Sequence, residues 1–207
     1  MTASPGIGEL LGLAASVSLL AGWRLYLCVF ATGIALRFGV MPVPEHLPAL
    51  AALANPWVIG IAALGAAAEF FTDKVPWLDS LWDLLHTAIR PIGGAALALA
   101  IIDPGQPGWQ AIVFLLGGGG ALLAHGGKAG LRGAINMSPE PFTNVVASSV
   151  EDVATAGLLS LVYAFPGTAA AVAAILFGMV CALALTLRRA FRKVTRKRKP
   201  PDDPPGG

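Results

Sequence analysis

Charge is what this sequence has least of. Acidic and basic residues make up 13% of its 207 positions, while 56% are hydrophobic and the mean hydropathy is +0.71. An ordinary soluble domain carries about twice that charged share, and a soluble fold has nowhere to bury so much apolar surface. Cysteine is scarce as well. Cys28 and Cys181 lie in separate apolar segments with no second Cys or His at ligand spacing, so they read as packing residues rather than a disulfide or metal site. The first ten residues contain no Lys or Arg, hence no positively charged n-region, and the N-terminus reads as mature sequence. Also absent are an HExxH or paired-cysteine signature, a nucleophile–base set and a nucleic-acid surface, so the bilayer is the expected partner and nucleic acid is not.

The charge that exists is unevenly placed. Eight of the 14 Lys and Arg residues fall between Arg188 and Lys199, leaving a slightly acidic body. The expected organisation is one transmembrane domain over residues 1–187 and a basic tail over 188–207, too rich in Pro and Gly at its end to fold. The bland role for the tail, a topology anchor, outweighs a dedicated site for anionic lipid.

A membrane-crossing helix needs about 20 mostly apolar residues. Five segments approach this: Pro56–Phe71, Leu81–Ile102, Trp109–Ala124, Phe142–Ala164 and Pro166–Leu187. Ahead of them, Ile7–Phe38 is apolar over a length greater than one crossing, interrupted by Gly22 and Arg24. It is either one long, broken, tilted span or two short helices folded as a re-entrant hairpin. One span is the reading taken, which gives an all-α polytopic bundle of about six spans with its N-terminus inside. The basic tail should remain in the cytoplasm of an inner-membrane protein. Counting back places the Lys74 loop and a loop over Gly126–Pro141, with Lys128 and Arg132, on that same side.

Ionisable residues concentrate in two stretches. In Asp79-Ser-Leu-Trp-Asp83-Leu-Leu-His86-Thr-Ala-Ile-Arg90, the 3.6-residue period brings Asp79, Asp83, His86 and Arg90 onto one helical stripe, and Glu69 and Asp73 form a similar pair at the end of the preceding span. Charges at membrane depth are costly unless paired or watered, so the stripe should face a bundle interior or a polar cavity. The structural alternative is that Asp79 or Asp83 simply neutralises Arg90 or Lys74. The second stretch runs from His125, Lys128 and Arg132 through Asn136 and Glu140 to Asn144, Ser148, Glu151, Asp152 and Thr155. Asn144, Ser148, Glu151 and Thr155 repeat the spacing of the first stripe.

The resulting candidate cavity residues are Glu69, Asp73, Lys74, Asp79, Asp83, His86, Arg90, His125, Lys128, Arg132, Asn136, Glu140, Asn144, Glu151 and Asp152. Asp79, Asp83 and His86, with His125 joining, have the spacing of helix-borne metal ligands, but Arg90 and Lys74 compete for the carboxylates, so no metal or other cofactor is assigned. Arg24 and Arg132, each near a glycine and an expected helix break, suit either a bound carboxylate or phosphate or pairing to Glu69 or Glu151. Gly117–Gly120 sits in an apolar span without a following Gly-Lys-Ser/Thr, so it reads as close helix packing rather than a phosphate loop.

The motifs Glu69-Phe-Phe-Thr-Asp73-Lys74-Val-Pro76, Asp79-Ser-Leu-Trp-Asp83 with His86 and Ile89-Arg90-Pro91, His125-Gly-Gly-Lys128-Ala-Gly-Leu-Arg132 and Asn136-Met-Ser138-Pro139-Glu140-Pro141 resemble the bacterial membrane family called domain of unknown function 4126, from about Leu10 to Ala184. The resemblance implies a multi-pass bacterial membrane protein and supports the two motif regions as the working part; it supplies no activity. Where the family pattern has Thr before the lysine of the His125 motif, this chain has Gly127, which removes a hydroxyl. The function these readings favour is a small transporter or channel-like protein for a small solute or ion. A membrane-embedded, metal-assisted enzyme acting on a lipid or isoprenoid headgroup and a non-catalytic scaffold are the alternatives.

Overall fold

A computed structural model describes residues 7–40, 47–102, 105, 107–136 and 141–197. Among the described residues the chain is all helix and turn: α1 (Ile7–Arg37), α2 (Pro48–Ala52), α3 (Pro56–Thr72), α4 (Pro76–Ile102), α5 (Pro107–Asn136), α6 (Pro141–Ala164), a 3-10 turn (Pro166–Thr168) and α7 (Ala169–Lys197). Proline opens α2 through α6, where its fixed φ suits a first turn and its missing N–H costs nothing. The exception is Pro91, inside α4. Five helices are long and apolar enough to cross a bilayer, and α3, apolar but shorter, is the sixth apolar segment. Their outward faces carry Trp57, Leu64, Phe71, Leu84, Leu115, Leu116, Phe142, Val153 and Phe177, all exposed. That apolar exterior around buried charge is the arrangement of a bundle solvated by lipid.

The first helix is where the structure departs from the expected single span. Arg24 leaves helical geometry at φ −141° and ψ 73°, dividing α1 into arms over residues 7–23 and 25–37. In a straight helix Glu9 and Thr32 would lie about 35 Å apart. Instead Glu9 approaches Gly167 while Thr32 bonds the Tyr163 hydroxyl, at one and the same corner between α6 and α7. Ser18 and Leu25, on opposite arms, meet the adjacent positions Gly94 and Gly93 of α4. The arms therefore run in opposite directions and form a re-entrant hairpin. Its apex at Arg24 stops inside the bundle, and both of its ends lie on the face opposite the end of α7.

Backbone-close packing holds the hairpin. A Cβ on Gly22 would strike the Ala121 carbonyl and one on Gly12 would sit 2.5 Å from the Ala170 backbone nitrogen. Between α4 and α5, Gly94 and Gly117 face Ala121 and Ala98, so the Gly117–Gly120 run does begin with a packing contact, although Gly119 meets nothing. Without much solvent-driven attraction between helices in lipid, such close approach is a main source of cohesion.

The loop expected over Gly126–Pro141 is also corrected. Helix α5 continues to Asn136, so His125, Lys128 and Arg132 ride on a helix and are buried. Its glycines suggested a loop, but glycine is tolerated within membrane helices. α7 likewise carries the start of the basic run to Lys197; residues 198–207 lie outside the described residues.

The hairpin sets a topology that side-specific labelling can check. With Cys181 replaced by Ala, Gly8→Cys and Gly105→Cys should react with an impermeant maleimide from the same side, and Gly133→Cys from the other. Reaction of Gly8→Cys together with Gly133→Cys would restore the single span. Gly22→Val, by forcing the apex off α5, should lower apparent stability by about 1–3 kcal/mol, read as a drop in Tm in detergent.

Candidate functional site

Around the hairpin apex, toward the end of α7, the two polar stretches meet. Asp73, in the turn between α3 and α4, is the first centre. One of its carboxylate oxygens, Oδ2, accepts from Arg24, from Lys128 at 3.2 Å and faces Arg132 at 3.6 Å. Its backbone carbonyl accepts from Asn144 Nδ2 at 2.7 Å. Burial alone would push this carboxyl up, but Lys128, Arg24 and Arg132 outweigh it and hold it below the usual carboxylate range.

Each cation is itself shared. Arg24 donates to the Ser148 carbonyl at 3.1 Å and pairs with Asp152 at 3.0 Å and Glu151 at 3.6 Å. Arg132 forks onto both oxygens of Glu151, at 3.3 and 3.0 Å, and donates to Asn144 Oδ1 at 2.5 Å. Lys128 Nζ donates to the Trp23 carbonyl at 3.2 Å. That carbonyl belongs to the last turn of the first arm, where backbone acceptors are left open and the helix dipole is negative, so an ammonium is the natural partner.

Arg90 is the second centre. It holds Glu69 at 2.6 Å and Asp83 at 3.0 Å, and donates to His125 Nδ1 at 2.5 Å. A guanidinium only donates, so His125 Nδ1 accepts and Nε2 carries the proton, directed to the Asp83 carbonyl and the Thr87 hydroxyl, both at 3.1 Å. His86 is oriented the other way. Its Nδ1 donates to the Trp82 carbonyl at 2.8 Å, and its Nε2 meets the Tyr26 hydroxyl at 3.1 Å while the ring stacks on Trp82.

The sequence stripe of Asp79, Asp83, His86 and Arg90 is thus real, and all four are buried. Its echo in Asn144, Ser148, Glu151 and Thr155 points into the same interior, Glu151 remaining half-buried. The pairing of Arg90 with Asp83, which the structural alternative called for, is present, while Lys74 faces Asp152 at 3.9 Å. Glu140 and the side chain of Asn136 lie outside the described residues. The spacing of Asp79, Asp83, His86 and His125 does not become a ligand set: each imidazole is turned to a different partner, and among the described residues no three His, Cys, Asp or Glu side chains are placed to hold a metal. Arg24 was read as a helix break and as a partner for a ligand anion or for Glu69 or Glu151; Glu151 does lie 3.6 Å away, but the pairing to Asp73 and Asp152, like the contributions of Tyr26 and Ser148, needed the hairpin to be known.

Beside the network a cavity of ≈ 330 Å³ opens between the second arm, α3 and α6, with Arg24, Glu69 and Asp152 at its polar end and Leu27, Ala66, Phe70, Val153 and Ala156 as apolar walls. Glu69 Oε2, Asp73 Oδ1, Arg24 Nε and Thr155 Oγ1 are buried without a hydrogen-bond partner. Native interiors leave few such atoms, and four of those found here sit around the charge network.

A re-entrant hairpin meeting a buried charge network inside an apolar-faced bundle defines a multi-pass membrane protein. The chain belongs to the family described as Domain of unknown function (DUF4126), whose profile matches residues 11–186, a range that holds the network, the cavity and all but the first residues of the hairpin. No curated protein and no solved structure matches the chain.

Asp73→Asn would leave three cations around a neutral amide, a loss of about 3–5 kcal/mol. A second change, Lys128→Met, should recover part of it in a double-mutant cycle read by thermal unfolding. Because the folded carboxyl titrates low, the contribution of Asp73 should be complete at neutral pH. It should fall away as pH drops below about 4, through the folded value, and the Asn variant should lack that acid limb.

Proposed function

We propose that this protein is a small transporter or channel-like protein of the bacterial inner membrane, with its basic C-terminal tail in the cytoplasm, and that the charge network is the closed state of a path for a small solute or ion. The observation that carries the reading is the hairpin apex. Broken helices that end inside a bundle present backbone acceptors and donors to a buried site, as the discontinuous helices of transporters do. Here the acceptor end, at Trp23, faces Lys128, and the charged residue at the break, Arg24, joins the network. Glu69 and Arg24, each with a buried unsatisfied atom, also line a cavity, so a small shift of either side chain would bring a polar group to it.

The orientation rests on the basic run Arg188–Lys199, which the positive-inside rule keeps in the cytoplasm. The network then lies toward the cytoplasmic side, as do Lys74, Lys128 and Arg132.

A scaffold reading draws on the same network, because nearly every cation in it has a carboxylate partner. The two readings part in reconstituted vesicles. Flux of protons, alkali cations and small amines, followed with a pH-sensitive dye and ion electrodes, should require the protein and fall at least tenfold in Asp83→Asn and in Arg132→Ala that still fold. Flux indifferent to both substitutions, or variants whose sole defect is a lower Tm, would favour the scaffold.

A further inference from the structure

Helix α7 is longer than the bilayer core is thick. The apolar segment that ends in it, Pro166–Thr186, covers 21 residues, about 30 Å at helical rise and so one hydrocarbon core. The helix then runs on to Lys197. Headgroups occupy about 5–7 Å beyond the core on each side, so the next turn of α7 and part of another cross them.

What the extension carries is divided by face. Within the bundle Ala169, Val172, Ala173, Leu176 and Val180 are buried, and Gly127 of α5 lies against Leu183 and Val180. Continued in steps of three and four residues, that side reaches positions 187, 190, 191 and 194, which are Leu, Ala, Phe and Val. The opposite side, with Ala171, Ile175, Gly178, Ala182 and Leu185, is exposed. The same steps carry it to positions 188, 189, 192, 193 and 196, every one Arg or Lys, and Arg188 and Arg189 are exposed.

A tail that only obeys the positive-inside rule needs charge near the end of its span and no particular face. Here the charge is confined to the side that meets acyl chains in the core and headgroups beyond it. Four of the five basic positions are Arg, whose planar fork matches the oxygens of a phosphate. Unlike the buried cations of the network, Arg188 and Arg189 have no carboxylate partner among the described residues.

We propose that the outward face of α7 past Thr186 is a binding strip for an anionic phospholipid of the adjoining leaflet, its phosphate held by Arg188, Arg189 and Arg192 and its acyl chains lying along Leu185, Ala182 and Gly178. Lys193 and Arg196 come next along the strip and add attraction within a Debye length. The strip faces away from the charge network, so it stands whether or not the network carries transport.

The test uses the full chain with Cys181 replaced by Ala and a bimane on Thr186→Cys, an exposed position where the apolar and basic parts of the strip meet. It is reconstituted in phosphatidylcholine with brominated lipid added. Brominated phosphatidylglycerol should quench at a mole fraction about fivefold or more below that needed with brominated phosphatidylcholine, and the preference should shrink toward parity in about 1 M salt. Arg188→Gln with Arg189→Gln and Arg192→Gln should remove it. Because loss of charge also disturbs insertion, a second variant keeps the net charge and turns the face: Arg189→Ala with Ala190→Arg, combined with Phe191→Arg and Arg192→Phe, should cut the preference about threefold or more. Equal quenching by the two lipids in the parent chain would overturn the proposal. So would a preference untouched by the exchange of faces, which would leave the run as a topology anchor with diffuse charge.

Discussion

The carboxylate of Asp73 is the constraint on which the rest depends. It sits in a three-residue turn, yet the groups it gathers come from elements far apart in the chain: Arg24 at the hairpin apex and Lys128 and Arg132 on α5, while its carbonyl takes Asn144 of α6. A buried ionic cluster adds little net stability over a well-packed apolar one, because desolvation offsets most of the Coulomb gain. What it contributes is geometry. Only one arrangement of hairpin, α5 and α6 brings three cations to a single acid, and any other leaves a charge uncompensated in lipid.

The hairpin gives that cluster its position in depth. Two arms descend from one face and stop at Arg24, and the polar side chains gather around that end, against Trp23, Arg24 and Tyr26. Close contacts at Gly12, Gly22 and Gly94 fix how far the apex enters. A buried break is tolerated because its freed backbone groups find protein partners, as the Trp23 carbonyl finds Lys128.

Much of this was legible in the sequence where periodicity speaks. Asp79, Asp83, His86 and Arg90 share a stripe because helical spacing puts them there whatever they pack against, and Asn144 and Ser148 follow by the same rule. Hydropathy found the apolar length of 7–38 and marked Gly22 and Arg24 as its interruption. It could not say whether the chain passes through or turns back, since either path is equally apolar. The glycines around Lys128 pointed to a loop because composition is blind to close packing against neighbouring helices. The partners of Arg24 were undecidable for a related reason: six acids lie within plausible reach of an arginine until the apex is located. His86 and His125 look alike in sequence but are turned to different partners, a difference set by Tyr26 and Arg90 rather than by spacing.

Helix α3 differs from its neighbours in how it is attached. It packs on the second arm, where Tyr26 lies against Gly65 and Ile59 against Gly33, and joins α4 through the Asp73 turn, but it does not form a helix pair with α6 across the cavity. The seam between the first arm, α4 and α5 is instead pinned by close contacts at Gly22, Gly94 and Gly117. α3 thus resembles a door leaf hung along one edge: the second arm is its hinge line, the Arg90–Glu69 pair its latch, and α6 the jamb it closes toward. Swinging it would widen the cavity toward the lipid while leaving the glycine seam in register.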